Sequence, residues 1–178
     1  MRTVVLGASG QIGKIIYEEL KKSHEVIGTS RNSSSELLQF DPFKDSWSVL
    51  GKADVLVNCV GQIEATKEFS FQKIHIELTK LIIQNRERLG NPRIIQISAL
   101  GASKLSELEF FKTKGIADDQ LLKNSNTVIV RPSIICTHKT MMVRKMQVLY
   151  SISRFTNGLL IVPSSFLDHM INLYCHMI

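Results

Sequence analysis

The fold is decided by the stretch Thr3-Val-Val-Leu-Gly7-Ala-Ser-Gly10-Gln-Ile-Gly13-Lys14. Its opening residues are apolar and rich in β-branched side chains, which is typical of a strand. Glycines follow at three-residue spacing, and after them apolar residues recur on one face of a helix, at Ile12, Ile15, Ile16 and Leu20. The stretch therefore predicts a strand, a tight glycine turn and an amphipathic helix, the order of elements that opens a βαβ unit.

The glycine turn predicts a loop that binds the pyrophosphate of a dinucleotide. Glycine lets the chain turn sharply and approach a phosphate, and the N–H groups and dipole at the start of the helix favour an anion. The spacing is G-x-x-G-x-x-G rather than the G-x-G-x-x-G of many two-domain dehydrogenases. The alternative is a β–α turn that binds nothing, but the flanking strand and helix favour a nucleotide. The residues assigned to the cofactor here are Gly7, Ala8, Ser9, Gly10, Gln11, Ile12 and Gly13.

Strand and helix patterns alternate through residue 135, which predicts an α/β protein. The predicted helices are 12–22, a short one at 45–50, 64–88 and 110–122. The predicted strands are 3–6, 25–29, 37–40, 53–58, 93–98 and 127–131. This order favours a doubly wound parallel sheet, a Rossmann fold of three layers αβα with right-handed crossovers. We expect the dinucleotide-binding domain to span 1–137, and 138–178 to be an extension on the same domain, with helices at 141–155 and 166–178 and a possible strand at 159–162.

The composition indicates an ordinary globular protein with a single core. The chain has 178 residues, of which 44% are hydrophobic, and a net charge of +6. Its lysines and arginines are scattered without interleaved aromatic residues, which argues against nucleic-acid binding. No stretch has the length of a membrane-spanning helix.

The three cysteines, Cys59, Cys136 and Cys175, lie far apart with no C-x-x-C pair. This argues against a disulfide framework or a zinc site and favours a reducing compartment. The histidines His169 and His176 are seven residues apart and share a helix face, but no carboxylate or thiolate partner makes a metal site convincing. We therefore interpret 166–178 as a packing helix and predict no metal site. We expect a cytoplasmic location, with an organelle matrix as the alternative.

The end of the second predicted strand indicates which dinucleotide binds. Arg31 and Asn32 lie in the turn after this strand, and no carboxylate follows before Glu36. An acidic residue here would bind the ribose hydroxyls of NAD, whereas a guanidinium suits the extra phosphate of NADP. We therefore favour NADP over NAD, the alternative being that Arg31 is an ordinary surface arginine.

Other loops at the same edge of the predicted sheet are assigned to the cofactor as well. Asp41 is placed near the adenine edge, although a turn or capping aspartate fits it equally well. The turn formed by Asn58, Cys59, Val60 and Gly61 follows a buried strand and lies beside the cofactor if the sheet is doubly wound. Pro132, at the tip of the sixth predicted strand, completes this set. We interpret His75, within the helix 64–88, as a core or interface group rather than a catalyst.

The chain resembles the short-chain dehydrogenase/reductase superfamily, in its extended and atypical NAD(P)-binding branches. It is most similar to the atypical group that contains the NAD(P)H-binding accessory subunit of respiratory complex I and small bacterial relatives. The resemblance covers residues 1 to about 137. Five motifs carry it: Gly7-x-x-Gly10-x-x-Gly13, Asn58-Cys-Val-Gly61, Ile74-His-Ile-Glu77, Ile97-Ser98-Ala-Leu-Gly-Ala102 and Val130-Arg131-Pro132-Ser133.

The resemblance implies catalytic roles that this chain fills only in part. Active members carry a Tyr-x-x-x-Lys helix, whose tyrosine exchanges a proton with the substrate, and a serine that orients the carbonyl. Ser98 matches the serine, and Lys114 matches the lysine that holds the nicotinamide ribose. The tyrosine position is Phe110, which has no proton to donate. Extended members also continue into a substrate-binding part, which is missing or minimal here.

Two functional hypotheses follow from these residues. In the first, the chain is an NADP-preferring oxidoreductase with a carbonyl, quinone or flavin-like acceptor as its small-molecule substrate. In the second, it is a non-catalytic cofactor-binding subunit, structural or regulatory, with a protein partner. Phe110 and the short C-terminal part favour the second hypothesis. The glycine turn and Ser98 favour dinucleotide binding under either.

Overall fold

The computed structural model describes residues 1–62, 65–66, 69–124 and 126–133. Its contacts divide the chain into a first unit, Met1–Arg131, and a second unit, Pro132–Ile178. All the secondary structure below belongs to the first unit. The helices predicted at 141–155 and 166–178 and the strand predicted at 159–162 lie outside the described residues.

The first unit is built on a sheet of six parallel strands in the order β3-β2-β1-β4-β5-β6. On one side of β1 lie β2 and then β3, and on its other side lie β4, β5 and β6 in that order. The strands are β1 Arg2–Leu6, β2 Glu25–Ser30, β3 Leu38–Gln39, β4 Val55–Asn58, β5 Arg93–Ile97 and β6 Thr127–Val130. The predicted parallel α/β sheet is confirmed, and the switch of strand order between β1 and β4 opens a crevice at their carboxyl ends.

Helices cover the sheet on both faces, which gives the three predicted layers. They are α1 Gln11–Leu20, α2 Leu78–Gln84 and α3 Glu109–Leu122, with a 3₁₀ turn at Trp47–Leu50 and a π-helical segment at Gln72–Glu77 directly before α2. Alternate residues of the strands face opposite layers. Val5 and Val57 pack with Tyr17 of α1, whereas Leu6 and Leu56 pack with side chains of α2 and α3.

The register of the central strands brings their carboxyl ends level. Leu6 of β1 pairs with Asn58 of β4, and Asn58 pairs with Gln96 of β5. The Asn58 and Gln96 side chains are buried and joined by a hydrogen bond of 2.8 Å between Asn58 Nδ2 and Gln96 Oε1. The turns that follow these strands therefore meet at one edge of the sheet.

The helix predicted at 64–88 starts later than the apolar pattern indicates. Described residues 65, 66, 69 and 70 are not helical, and the helical turns begin at Phe71. Ser70 sets this start, because its Oγ accepts from the N–H of Lys73 at 3.2 Å and its carbonyl accepts from Ile74 at 3.1 Å. The chain leaves the helix at Gln84 and turns at Gly90, whose φ of +84° suits glycine.

In the part of the chain that the structure describes, no helix is long and apolar enough to span a membrane. The same residues contain no group of three histidine, cysteine or acidic side chains placed to hold a metal ion.

Candidate functional site

The glycine turn is closed by contacts that only glycine permits. Gly7 has a φ of +76°, and the N–H of Gly10 donates to its carbonyl at 3.0 Å. A Cβ at Gly13 would lie 2.1 Å from the Gly7 carbonyl oxygen, so the first turn of α1 packs directly on the backbone of the loop. A Cβ at Gly7 would lie 3.1 Å from the backbone nitrogen of Val60, so the turns after β1 and β4 also touch. The motif thus brings two loops together at one edge of the sheet.

The start of α1 is electrostatically suited to an anion. Gly10 is the N-cap and has no side chain to bond the first amides, and the first turn contains no acidic residue. The partial positive charge of this helix end is therefore not compensated by its own side chains.

A cleft of about 180 Å³ lies between these loops, and we call it the glycine cleft. It is lined by residues from the turns after β1, β2, β3 and β4 and from the segment before α2. The lining includes these residues that the sequence assigns to the cofactor: Gly7, Ser9, Gly10, Arg31, Cys59, Val60 and Gly61. Tertiary structure therefore gathers the two predicted turns and the arginine around one space.

The remaining residues assigned to the cofactor lie around the cleft or away from it. Ala8 is buried and donates its N–H to the carbonyl of Thr29 at 2.9 Å, which ties the turn to β2. Gln11, Ile12 and Gly13 form the first turn of α1. Asn32 does not line the cleft, and its N–H donates to Ser30 Oγ at 3.2 Å. Pro132 lies beyond the end of β6 and outside the lining of the cleft.

Asp41 has the role of a turn residue. Its Oδ1 accepts from the N–H of Phe43 at 3.0 Å, and its Oδ2 lies 3.7 Å from Nζ of Lys44. The side chain lines a separate, open cavity of about 590 Å³, which shares Arg31 with the glycine cleft. The glycine turn lines the smaller cleft and not this cavity.

Arg31 is exposed and stacks on an aromatic ring that the sequence does not single out. Its Cζ lies 3.9 Å from the centroid of the Phe69 ring, and both residues line the glycine cleft. Stacking uses the flat face of a guanidinium and leaves the N–H groups at its edge available to a ligand.

Lys114 is buried behind the Asn58–Gly61 turn. Its Nζ donates to the carbonyl of Ile97 at 3.2 Å and would lie 3.7 Å from a Cβ at Gly61. Burial lowers the pKa of Lys114 to about 8, while the charge of Asp118 opposes this change. The amine therefore remains mostly protonated at neutral pH, and the absence of a side chain at Gly61 leaves space in front of it.

The hydroxyl of Ser98 is hydrogen-bonded to a carboxylate. Ser98 Oγ donates to Oδ2 of Asp118 at 2.8 Å, and the same oxygen accepts from Nε of Arg131 at 2.9 Å. Nη2 of Arg131 lies 2.9 Å from this oxygen in an ion pair. Burial raises the pKa of the fully buried Asp118 carboxyl, and the bonds from Ser98 and Arg131 oppose that rise. Because a hydroxyl has one proton, Ser98 has none left for a substrate carbonyl in this arrangement.

Phe110, at the position where active relatives carry tyrosine, belongs to an aromatic cluster. Its ring centroid lies 5.6 Å from those of Phe71 and His75 and 5.1 Å from that of Phe111, in edge-to-face arrangements. Lys114 Nζ lies 5.6 Å from the Phe110 centroid. The lysine of the motif thus keeps its place beside the ring, but no phenol is present to titrate.

His75 is buried in the same cluster, where its neutral form is stabilised. Thr113 Oγ1 donates to the carbonyl of Glu109 at 2.8 Å, so we assign the hydrogen of His75 to Nδ1, which lies 2.8 Å from that hydroxyl. Burial, assisted by the charge of Lys114, lowers the pKa of His75 to about 3. An imidazole that stays neutral near pH 7 is a poor proton exchanger, in agreement with its interpretation as a packing group.

Cys59 lines the cleft but is not poised as a nucleophile. Burial raises the pKa of its thiol to about 12, so the thiolate is not populated at neutral pH.

Comparison with known proteins finds similar sequences and similar folds. No family model matches the chain. The 40 kDa subunit of mitochondrial NADH-ubiquinone oxidoreductase from Neurospora crassa is 30% identical over 149 residues, which cover 72% of this chain and 39% of that subunit. The similarity thus extends over most of this chain and over less than half of that subunit.

Several solved structures share the fold of this chain. A putative NAD-dependent epimerase/dehydratase from Bacillus halodurans aligns with a TM-score of 0.67 at 24% identity, covering 79% of this chain and 74% of its own. A UDP-glucuronic acid 4-epimerase from Bacillus cereus, solved in complex with NAD, aligns with a TM-score of 0.69 at 16% identity, covering 91% and 66%. At these identities the structures establish the Rossmann-like αβα fold of the chain.

Two residues of the site have only weak signals in the sequence. Asp118 follows Lys114 by four residues, a spacing that places both on one face of α3, but nothing local connects it to Ser98. Phe69 precedes the helical pattern and has no motif of its own. Both act through contacts with residues of other elements, which only the folded chain brings near.

Proposed function

We propose that this chain is a protein of the atypical short-chain dehydrogenase/reductase type and binds an NAD(P)(H) dinucleotide in the glycine cleft. The observation that carries the proposal is the closed Gly7–Gly13 turn facing a cleft that also contains Arg31 and the Asn58–Gly61 turn. The backbone of the turn and the start of α1 would hold the pyrophosphate. Lys114, behind Gly61, would hold the ribose on the nicotinamide side, in agreement with the resemblance stated above.

The finer proposal is a preference for NADP over NAD. Arg31 lines the cleft with an exposed guanidinium, and in the described part of the chain no carboxylate lies within ion-pair distance of it. A guanidinium edge forms charge-assisted hydrogen bonds with a phosphomonoester. The opposite preference is typical of a carboxylate at the end of β2, and no acidic residue lies between Thr29 and Ser35.

A non-catalytic role as a cofactor-binding subunit is the second candidate function, and two observations favour it. Phe110 cannot exchange a proton, and Ser98 donates its only hydroxyl hydrogen to Asp118 in a hydrogen bond. Of the two groups that would act on a carbonyl, the tyrosine is thus missing and the serine is hydrogen-bonded to Asp118. The groups assigned to dinucleotide binding remain. A bound dinucleotide would then stabilise the fold, and any turnover would need a proton from water or from the substrate itself.

A protein partner and an organelle location are proposed with this second function. The Neurospora crassa relative is, by its name, a subunit of a mitochondrial oxidoreductase. This chain spans 39% of that subunit, so the partner-binding part of the relative need not be the part that they share. A cytoplasmic location is the alternative.

Thermal unfolding in the presence of NADP+, NADPH, NAD+ or NADH tests dinucleotide binding. A ligand at about 100 times its dissociation constant adds roughly 2.7 kcal/mol to the free energy of unfolding, which raises the melting temperature by several degrees. We expect a larger rise with the NADP forms, reduced by Arg31→Ala, while the rise with the NAD forms is retained. Absence of a rise with any of the four nucleotides would refute the proposal.

Turnover is tested with NADPH and a panel of quinone, carbonyl and flavin-like acceptors, by following absorbance of the reduced cofactor. The subunit hypothesis predicts no oxidation above the rate without protein. Oxidation that disappears in Lys114→Met would instead support an enzyme.

A further inference from the structure

The glycine cleft is narrower than the ligand proposed for it requires. Its volume is about 180 Å³, whereas sites that enclose small molecules and cofactors typically measure roughly 300–1,000 Å³. A dinucleotide therefore enters only if the cleft widens. The contact that joins the two walls of the cleft controls this step.

The walls of the glycine cleft are joined by the contact between Arg31 and Phe69. Arg31 follows β2, Phe69 precedes the π-helical segment Gln72–Glu77, and both residues line the cleft. The guanidinium lies on the ring, with its Cζ 3.9 Å from the ring centroid. A cation at this distance is attracted by the negative face of the ring. The pair therefore connects two elements that are distant in the chain.

The backbone on each side of this contact is fixed by other hydrogen bonds. The Phe69 N–H donates to Thr66 Oγ1 at 3.1 Å, and the Phe69 carbonyl accepts from the N–H of Thr66 at 3.0 Å. The Phe69 carbonyl also accepts a hydrogen bond from Nε2 of Gln62. On the opposite wall, the Arg31 carbonyl accepts from Nε2 of Gln39 at 3.3 Å. The part of the contact with the most rotational freedom is therefore the long, exposed side chain of Arg31.

Arg31 has space to move away from the glycine cleft. In the described part of the chain, it is the one residue that lines both this cleft and the open cavity of about 590 Å³. Rotation of its side chain toward the open cavity would separate the guanidinium from Phe69 and widen the glycine cleft. Because that cavity is open, the charge stays in water during this movement. The movement therefore costs little more than the stacking contact itself.

We propose that the Arg31–Phe69 contact is a latch that holds the glycine cleft closed and parts when a dinucleotide enters. The inference rests on the proposed binding of a dinucleotide in this cleft, and it applies to NAD and NADP alike. A closed form that does not bind weakens the apparent affinity in proportion to the fraction of the chain that is open. Removal of either partner of the contact therefore raises the affinity for NAD+, which has no additional phosphate for Arg31 to bind.

Isothermal titration calorimetry of the full chain with NAD+ tests the latch. A cation–π contact of an exposed cation corresponds to about two- to fivefold in an equilibrium constant, so we expect Phe69→Leu and Arg31→Ala each to bind NAD+ more tightly by about this factor. The double variant should bind NAD+ no more tightly than either single variant, because both changes remove the same contact. The matched control is Phe71→Leu, the same substitution at a half-buried phenylalanine outside the cleft lining, which should leave the affinity unchanged.

The outcomes separate this inference from the function on which it rests. If neither the unmodified chain nor the variants bind NAD+ or NADP+, the proposed function and the latch are both overturned. If the unmodified chain binds a dinucleotide and either single variant fails to bind NAD+ more tightly, only the latch is overturned. Gains that add in the double variant would also overturn the latch, since they would arise from separate effects. Should Phe69→Leu fail to fold by circular dichroism, the result with Arg31→Ala decides, since Arg31 is exposed.

Discussion

At the scale of single residues, Lys114 connects the family motif to the proposed cofactor. Its Nζ donates to the Ile97 carbonyl and faces the space in front of Gly61, where a ribose hydroxyl would lie. The ribose on the nicotinamide side is common to both dinucleotides. Lys114 should therefore affect the affinity for NAD+ and NADP+ alike, in contrast to Arg31.

We predict that Lys114→Met weakens the binding of both dinucleotides by about five- to tenfold, since a lost hydrogen bond costs about 1–1.5 kcal/mol. Methionine has a similar length and keeps the apolar contacts of the side chain. The affinities are measured by calorimetry, with Lys112→Met, an exposed position on the same helix, as the control. Unchanged affinities in Lys114→Met would remove this residue from the binding site.

His75 makes stability depend on pH on the acid side. Its pKa is lowered from 6.5 to about 3 in the folded chain, so between these values the unfolded chain takes up a proton that the folded chain does not. The free energy of unfolding therefore falls as the pH is lowered from 6.5 toward 3, and the contribution of His75 is complete above pH 6.5.

His75→Asn should make this acid loss of stability less steep. Asparagine still has a donor near the former Nδ1 position for Thr113, but it does not titrate. Urea unfolding at several pH values between 4 and 7.5 measures the slope, and His24→Asn, an exposed histidine after α1, is the control. An equal slope in His75→Asn and the unmodified chain would mean that folding does not lower the pKa of His75.

At the scale of elements, the β1–α1 turn is the most demanding contact of the site. A Cβ at Gly13 would lie 2.1 Å from the Gly7 carbonyl oxygen and 2.8 Å from its carbonyl carbon, both of which are backbone atoms. Gly10 has an ordinary φ of −74°, and a Cβ there would lie 3.2 Å from the same oxygen. The two glycines therefore differ sharply in what a methyl group would cost.

We predict that Gly13→Ala lowers the free energy of unfolding by about 2–4 kcal/mol, because α1 must move away from the turn. Gly10→Ala should lower it by less than about 1 kcal/mol, since a shift of a few tenths of an ångström is enough. Urea unfolding of the matched pair measures both values. A Gly13→Ala protein as stable as Gly10→Ala would show that α1 does not pack on the turn as described.

At the scale of the whole molecule, charge should assist the binding of an anionic cofactor. The chain has a formal net charge of +6, and a positive protein attracts anions with a strength that falls as salt rises. NADP+ has an additional phosphomonoester of about −1.5 to −2 charges. We predict that its affinity falls more steeply than that of NAD+ between about 50 and 300 mM NaCl, as measured by calorimetry. Parallel salt dependences of the two affinities would contradict a charged subsite for the extra phosphate.

The local elements of this fold were predictable because each is set by neighbours in the chain. The apolar run 3–6, the glycine turn and the helix after it correspond to β1, the closed turn and α1. The alternation of patterns gave all six strands of the first unit, with ends that differ by one to a few residues. The start of the helix near residue 64 was wrong, because periodicity reports a buried face, whereas the helix begins where Ser70 satisfies its first amides.

The parts of the candidate site that belong to a sequence motif were predictable. The parts that depend on contacts between distant residues were not. The glycine turn, Arg31 and the Asn58–Gly61 turn have sequence patterns, and they do line one cleft. The sequence allows Asp41 either a place near the adenine edge or a role in a turn. Its contacts with Phe43 and Lys44 are those of a turn residue. Phe69 and Asp118 have no such patterns, because their effects arise from partners on other elements.

The amino-acid sequence alone determines the parallel α/β fold, the glycine turn and the loss of the motif tyrosine at Phe110, since local propensity, φ requirements and side-chain chemistry belong to individual residues. Only the tertiary structure decides that Ser98 donates a hydrogen bond to Asp118 and that Arg31 stacks on Phe69. Those pairings join residues separated by whole elements, and their distances depend on how the sheet and helices pack. The same packing brings the glycine turn, Arg31 and the Asn58–Gly61 turn to one cleft and joins the Ser98 hydroxyl to Asp118.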